Sequence, residues 1–497
     1  MKLLVISDAP ILYDKGTKQA YAPYVKEMDL WMSHVSHTTF IGPNEFSRPL
    51  LLKPFDRQDF ELLPVKRLEY NRISTAIKSL INIPGQIQLL YKQMKKADHI
   101  HLRAPGNLAF LAGLVALSFS RKRISVKYAG NWDPNSKQPL SYRWQKRLFS
   151  SPKWSKNTNV MAYGQWKNQS ENIVPFFTAS YSKTDRKVFQ KEFVSPIQII
   201  FVGTLSKNKN PQLLIELIEG LHKHGISAQA HFYGDGPMMQ QLKQHARTVM
   251  VTERSRSQPQ SNPNAGSSLS TERSRSQPEN VATPQSNPVS SLSTERSRSQ
   301  VENRSVPQSN PVSSESREMD GHQNTRSSQQ KSPSRTDRSR SKDNGAFTFH
   351  GNQPAEVVRK AYKQAHFVFL ASQSEGWPKA VAEAMWHGCV PIASPVSCVP
   401  WMLNNNGDLD LKTLFIITLG QFEPVEDGLE ANKLIVKSET PRGLIFTKIN
   451  RTITDLQWLL NHQDHYQMMS QAAQTWSQQY TLEDFEKEIV KLLNHQT

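Results

Sequence analysis

Apolar residues along the chain fall into short runs that alternate between two periods. Segments at 3–7, 37–42, 99–102, 124–129 and 160–163 are short and β-like, as expected for strands. Between them, 21–34, 73–96 and 108–120 place apolar residues at helical spacing. The alternation predicts a parallel sheet with helices on both faces for residues 1–190. A second series opens with a strand at 197–202, a helix at 211–224, a strand at 228–233 and a helix at 237–247. It stops, then resumes with strands at 347–350, 367–371 and 390–394 and helices at 354–365 and 379–387. Helices over 453–462, 465–479 and 482–494 follow. The expectation is two α/β domains, 1–190 and 191–480, and a final helix in 481–497.

Two stretches break the second series. In 250–345 Ser, Gln, Asn, Pro and Arg dominate. Thr-Glu-Arg-Ser-Arg-Ser-Gln starts at Thr252, Thr271 and Thr294, and Pro-Gln-Ser-Asn-Pro at Pro259, Pro284 and Pro307. Units so short and polar cannot bury a hydrophobic face, so they predict a long disordered insertion rather than a solenoid. It lies between a helix and a strand, where added length costs little closure entropy. A second insertion is expected at 405–441, of no evident purpose.

The net charge of +18 is unevenly placed. Residues 1–200 hold about 30 Lys and Arg against about 14 Asp and Glu. A basic first domain draws anionic partners, and peripheral membrane contact through it is an expectation. A well-solvated basic surface is the plainer alternative. Cys389 and Cys398 are the only cysteines, which excludes a disulfide framework and fits a reducing, cytoplasmic setting. The opening apolar run is cut off at Ser7-Asp8 and reads as a strand, not a signal peptide. The apolar stretch 107–120 is too short to span a bilayer and reads as a buried helix.

Candidate chemistry concentrates at Ser374-Glu375-Gly376-Trp377-Pro378-Lys379-Ala380-Val381-Ala382-Glu383, between a strand and a helix. Gly376 permits a tight turn and Pro378 fits the first helical turn. The helix start offers free N–H groups to a diphosphate, and two carboxylates beside it can accept hydrogen bonds from sugar hydroxyls. An acidic residue complementing a helix dipole is the structural alternative.

This stretch resembles the retaining glycosyltransferases of family 4, marked by Glu-x7-Glu before a helix that ends in Gly and a Pro-Val/Ile strand. Here it reads Glu375 to Glu383, then Gly388-Cys389-Val390-Pro391-Ile392. Phe201-Val202-Gly203-Thr204-Leu205-Ser206-Lys207-Asn208-Lys209, Phe232-Tyr233-Gly234-Asp235-Gly236-Pro237 and Phe349-His350-Gly351 resemble further landmarks in order. The resemblance implies the GT-B fold, two Rossmann-like domains facing a cleft, with the final helix returning to the first domain. It implies sugar transfer from a nucleotide-sugar donor to a glycan or lipid-linked acceptor, with retention and without a metal or other cofactor. Glu375 would contact the donor sugar and Glu383 the ribose. Backbone groups at Gly376, Trp377 and Pro378 would line the pocket with Lys379, Gly203 and Thr204. Lys209 would meet the diphosphate, whose growing charge needs preorganised cations.

Departures fall mainly on the acceptor side. Thr204 stands where the family has Arg after the glycine, leaving the diphosphate to Lys209 and Lys207. Only Gly16 represents the family's Gly-rich loop after the first strand, and Asn131 or Asp133 stands in for a missing histidine. His99, His101 and Arg103 alternate along one strand and are expected at the cleft edge; a zinc reading lacks a third ligand. Asp408-Leu409-Asp410 resembles a metal-binding Asp-x-Asp but lies away from any expected strand end. The Arg-Ser units lack aromatic residues to stack on bases, so nucleic acid is not the expected partner. The alternatives are a nucleotide-sugar epimerase of the same fold, a sugar phosphorylase whose cofactor lysine is not found, and a non-catalytic scaffold whose insert binds RNA or a partner.

Overall fold

The computed structural model describes residues 1–46, 51–70, 72–151, 157–257, 345–409, 411–412, 414–415 and 440–494. The chain opens with β1 (Lys2–Ser7), β2 (Leu12–Asp14), β3 (Thr17–Tyr21), α1 (Ala22–Ser33) and β4 (His37–Gly42). Then come β5 (Leu52–Pro54), β6 (Glu61–Pro64), α2 (Ile73–Lys96), β7 (His99–Ala104) and α3 (Asn107–Ala116). The first domain continues with β8 (Arg123–Tyr128), α4 (Leu140–Phe149), β9 (Thr158–Tyr163) and β10 (Ile173–Phe176). Seven strands form a parallel sheet in the order β10-β9-β8-β7-β1-β4-β6. Successive residues of β1 serve opposite cores: Leu3 and Val5 pack on one side, Leu4 and Ile6 on the other. That two-sided burial is why the strand is a continuous apolar run. α3 is buried along Leu108, Ala109, Leu111, Ala112 and Val115. No helix among the described residues is long and apolar enough to cross a membrane.

The second domain contains β11 (Ile197–Val202), α5 (Gln212–Lys223), β12 (Ala228–Tyr233), α6 (Met239–Ser257), β13 (Phe347–Gly351) and α7 (Ala355–Gln364). It goes on with β14 (Phe367–Leu370), α8 (Lys379–Trp386), β15 (Val390–Ala393), α9 (Val399–Leu403) and β16 (Leu444–Ile445). Its six strands are parallel in the order β13-β12-β11-β14-β15-β16. α10 (Ile449–Asn461), α11 (Gln463–Ser477) and α12 (Leu482–Asn494) close the chain. α12 leaves the second domain and packs on α1. Its Phe485, Ile489 and Leu493 are buried in one cluster with Val5, Trp31 and Phe176.

Several elements lie outside the pattern read from sequence. β2 and β3 form a hairpin closed by Lys15 (φ +47°) and Gly16 (φ +82°), two successive left-handed residues. These strands, with β5, make a separate antiparallel sheet. α4 carries too little apolar content to stand out as a helix. α6 runs on to Ser257, past the compositional boundary at 250, while Val249 and the partly buried Met250 still pack on the core. The rest of the 250–345 insertion lies outside the described residues apart from residue 345. The second insertion begins with packed residues rather than loose chain: Leu411 and Phe415 are buried in the second domain's core. Cys389 and Cys398 are free and buried.

Candidate active site

Each sheet has a point where the chain leaves a central strand in opposite directions. In the first it lies at β1, flanked by β4 and β7; in the second at β11, flanked by β12 and β14. Loops at the carboxyl ends of strands diverge there and leave a crevice, the usual ligand position in open α/β sheets. Here the two crevices open onto one cavity of about 720 Å³. The first domain lines it with Ser7 and Asp8 after β1, Arg103 at the end of β7, and Ala129, Gly130 and Asn131 after β8. The second contributes Asn208 and Lys209 after β11, and Ser374, Glu375 and Gly376 after β14.

The donor side is a pair of interlocked loops. The Gln373 N–H donates to the Asn208 carbonyl at 2.8 Å, and Asn210 Nδ2 donates to the Ala371 carbonyl at 2.9 Å. Asn210 is left-handed (φ +45°), which ends the short 3-10 turn Lys207–Lys209 and turns Lys209 toward the cavity. The Lys209 ammonium pairs with the Glu375 carboxylate, a contact between two separate loops. Both side chains are mostly buried, and together they set one cation and one anion on the wall of the cavity. Lys207 is exposed and outside that lining.

Other donor-side residues are placed differently from the sequence expectation. Gly203 and Thr204 are not in the cavity lining. They belong to a knot of strand ends, where the Gly203 N–H donates to the Tyr233 carbonyl and the Gly234 N–H to the Gly351 carbonyl. Gly234 (φ +132°) is obligatory there, since a β-carbon would sit 2.0 Å from the Gly203 carbonyl oxygen. The Trp377 side chain is buried among Tyr163, Trp401, Trp476 and Tyr480, nearly parallel to Trp476 at 6.1 Å. Pro378 caps α8, so by helix geometry the N–H groups of Lys379 and Ala380 have no partner within the helix. The Glu383 carboxylate is outside the cavity lining. It accepts a hydrogen bond from Ser180 Oγ at 2.7 Å and faces the Lys379 ammonium at 3.5 Å. The two motif carboxylates therefore do not face one spot, because Glu383 sits over a turn into α8 and meets the interdomain segment instead.

The acceptor side needs more correction. His101 is fully buried and does not reach the cleft. β7 does alternate as expected, but its face toward His99 and His101 is covered by α1. Trp31 lies 4.3 Å from the His101 ring, and Ser125 Oγ is within 2.9 Å of His101 Nδ1. Burial pulls the His101 pKa down to about 3, so the ring is neutral. Gly16 is a hairpin turn residue and is not in the cavity lining. Asp133 is spent on its own turn, accepting from the Asn135 N–H at 2.8 Å, whereas Asn131 lines the cavity. Asp408 is exposed, and Asp410 lies outside the described residues.

Arg103 does reach the cavity, held by a residue absent from the sequence reading. Glu27 on α1 accepts from Arg103 Nη1 at 2.9 Å and lies 3.0 Å from the Lys127 ammonium. Burial alone would raise the Glu27 pKa, but Arg103 and Lys127 hold it at about 2. Burial lowers the Lys127 pKa to about 8 against the pull of Glu27. The cluster carries one positive charge in excess, and the partly exposed Arg103 brings it to the cavity. Asp8 was also missed. It accepts from the Leu108 N–H at 3.2 Å at the start of α3, and burial raises its pKa. Gly106 makes room for it, since a β-carbon there would lie 2.0 Å from Asp8 Oδ2. The position of Ser7-Asp8 after the first strand was the available signal.

Two parallel α/β domains meeting at a cleft through their switch points define the GT-B fold of glycosyltransferases. Residues 183–268 and 337–418 match the family described as "Glycosyl transferases group 1". The match skips 269–336, within the low-complexity stretch, and the domain it marks supports glycosyl transfer. Among solved structures, the chain is similar to a glycosyltransferase from Rickettsia africae ESF-5, at 11% identity and TM-score 0.52, covering 99% of this chain and 97% of that one. It is similar too to the apo form of the lipopolysaccharide outer core galactosyltransferase WaaB, at 12% identity and TM-score 0.52, with each chain covered completely. At these identities the likeness shows the fold. A search of curated proteins gives no match.

Proposed function

We propose that the protein is a retaining hexosyltransferase that takes a sugar from a nucleotide-sugar and passes it to a glycan or lipid-linked acceptor. The observation that carries this reading is the Lys209–Glu375 pair on the second domain's wall of the interdomain cavity. In it, Lys209 meets the diphosphate leaving group, and Glu375 turns to the hydroxyls of the donor sugar. The N–H groups at the start of α8 add to the diphosphate site. Glu383 exchanges Ser180 for the donor ribose. Arg103, Asn131 and Asp8 receive the acceptor from the opposite wall. The chemistry needs no metal in this reading, since lysine and helix dipole supply the positive charge. No protein nucleophile is assigned, as the acceptor attacks from the leaving-group face.

The test is release of free nucleoside diphosphate from UDP-, GDP- and ADP-sugars, with acceptor-free hydrolysis as the baseline. Glu375→Ala and Lys209→Ala should each lower release by about 10²-fold or more, as for loss of a preorganised transition-state contact. No donor-dependent release, or release untouched by both substitutions, would overturn the reading.

A further inference from the structure

Between Ile73 and Ile87 helix α2 carries an apolar stripe on its outward side. Ile73, Ile77, Leu80, Ile81 and Ile87 form one stripe at helical spacing, and that stripe faces solvent. Their exposures are 83, 53, 60, 72 and 40%. In the same stretch the side against the protein buries two polar residues, with Ile83 as the aliphatic residue packed on the core beside them. Ser79 is buried, accepting from the Glu69 N–H at 2.8 Å and donating to its carbonyl at 2.9 Å. Gln86 is buried and donates to the Lys66 carbonyl at 2.9 Å. The core therefore does not account for these aliphatic residues. A contiguous apolar patch of this kind on a surface marks a contact.

The charge around the stripe selects the occupant. α2 holds Lys78, Lys92, Lys95 and Lys96 and no acidic residue. α3 packs between α2 and α4. α4 holds Arg143, Lys146 and Arg147, again with no acid, and exposes Leu140 and Trp144 by 64 and 61%. Residues 66–147 contain 16 Lys and Arg against 3 Asp and Glu, so +13 of the chain's +18 lies there. An acidic soluble partner would answer the lysines and leave the isoleucines in water. A bilayer with anionic headgroups answers both, the apolar stripe entering the acyl boundary while the cations meet the lipid phosphates.

We propose that α2, with α4 on the other side of α3, docks this protein in the plane of an anionic lipid surface. Lys137, Gln138, Pro139 and Tyr142, at the start of α4, line the cleft cavity. Docking thus sets the acceptor wall near the headgroups and selects a lipid-linked, anionic acceptor. This last step rests on the transfer reading above; the docking does not.

The experiment is co-sedimentation of the full chain with vesicles of phosphatidylcholine alone or mixed with phosphatidylglycerol. The protein is expected to bind only the mixed vesicles, less so as salt rises. Ile77→Asp/Ile81→Asp should cut the bound fraction by about tenfold or more, from burial lost at two aliphatic positions. Its thermal midpoint should hold, as both sites are exposed. No binding by the wild type, or binding unchanged in the double variant, would overturn the docking. So would a solution dimer, indifferent to vesicles, that the double variant dissociates. Nucleoside diphosphate release by the same samples without vesicles reports the transfer reading alone, so the two can fail separately.

Discussion

Gly376 and Ala129 approach so closely across the cleft that a β-carbon on Gly376 would stand 2.5 Å from the Ala129 carbonyl oxygen. The requirement is space rather than a special backbone angle. Gly376→Ala should therefore push the two walls of the cleft apart. Activity is expected to fall by about 10- to 100-fold, as for an overpacked contact costing about 1–3 kcal/mol. Donor turnover with the thermal midpoint measured alongside checks this; undiminished turnover would show that the cleft works in a more open form.

Lys209 and Glu375 differ from that contact in what they should affect. Their ion pair is mostly buried but lines an open cavity, so removing one partner should cost on the order of 1 kcal/mol of stability. Donor turnover should fall far more than the thermal midpoint. Equal losses in both would assign the pair to holding the loops together.

Trp377 makes the reverse prediction. Its side chain is buried among four aromatic residues and is not in the cavity lining. Trp377→Ala should destabilise the protein by about 3–5 kcal/mol through the void it leaves, while Trp377→Phe retains most of the activity. Denaturant unfolding of both variants decides this, and a stable but inactive Trp377→Ala protein would place the side chain in the site after all.

The Glu27 cluster predicts a pH dependence with two opposite signs. The folded Glu27 pKa, about 2, lies below its ordinary value of 4.5. Its contribution is full above pH 4.5 and is lost as pH falls toward 2. The folded Lys127 pKa, about 8, lies below its ordinary 10.5. Between pH 8 and 10.5 the unfolded chain holds a proton that the folded one has shed, so this group adds stability as pH rises through that window. The difference is on the order of 3 kcal/mol. Lys127→Met should equal or exceed the wild type in thermal midpoint at pH 7, and that advantage should shrink by pH 10. A marked loss at pH 7 would mean that the ammonium's pairing outweighs its burial.

Residues 269–336 lie outside the family match, which predicts that donor turnover survives their removal. Joining 268 to 337 should leave it within about threefold, since a shorter connection between α6 and β13 lowers closure entropy only slightly. Loss of turnover in a protein of unchanged thermal midpoint would give the segment a part in the reaction.

The central strands were legible because burial on both faces writes them as apolar runs, Leu3–Ile6 in β1 and Ile199–Val202 in β11. The loops carrying Lys209 and Glu375 were legible because strand ends and helix starts leave Gly and Pro at fixed places. The edges of the pattern were harder. The β2–β3 hairpin carries its signal in two backbone angles, at Lys15 and Gly16, rather than in apolar content. His101 has the alternation of a cleft residue, and nothing in β7 itself reveals that Trp31 covers it. Glu27 sits 76 positions from Arg103 and 100 from Lys127, so no local pattern could join them.

The packing of α12 against α1 bears on how the molecule is made. Phe485 closes over Lys127 at 4.7 Å and meets Phe176 at 5.3 Å, while Arg123 Nη1 donates to the Leu493 carbonyl at 3.0 Å. During synthesis the first domain therefore emerges with a buried lysine and its aromatic neighbours still uncovered. They stay so until the whole second domain and residues 482–494 have left the ribosome. Domains generally fold in order as they appear; here the first one out is the last to be sealed.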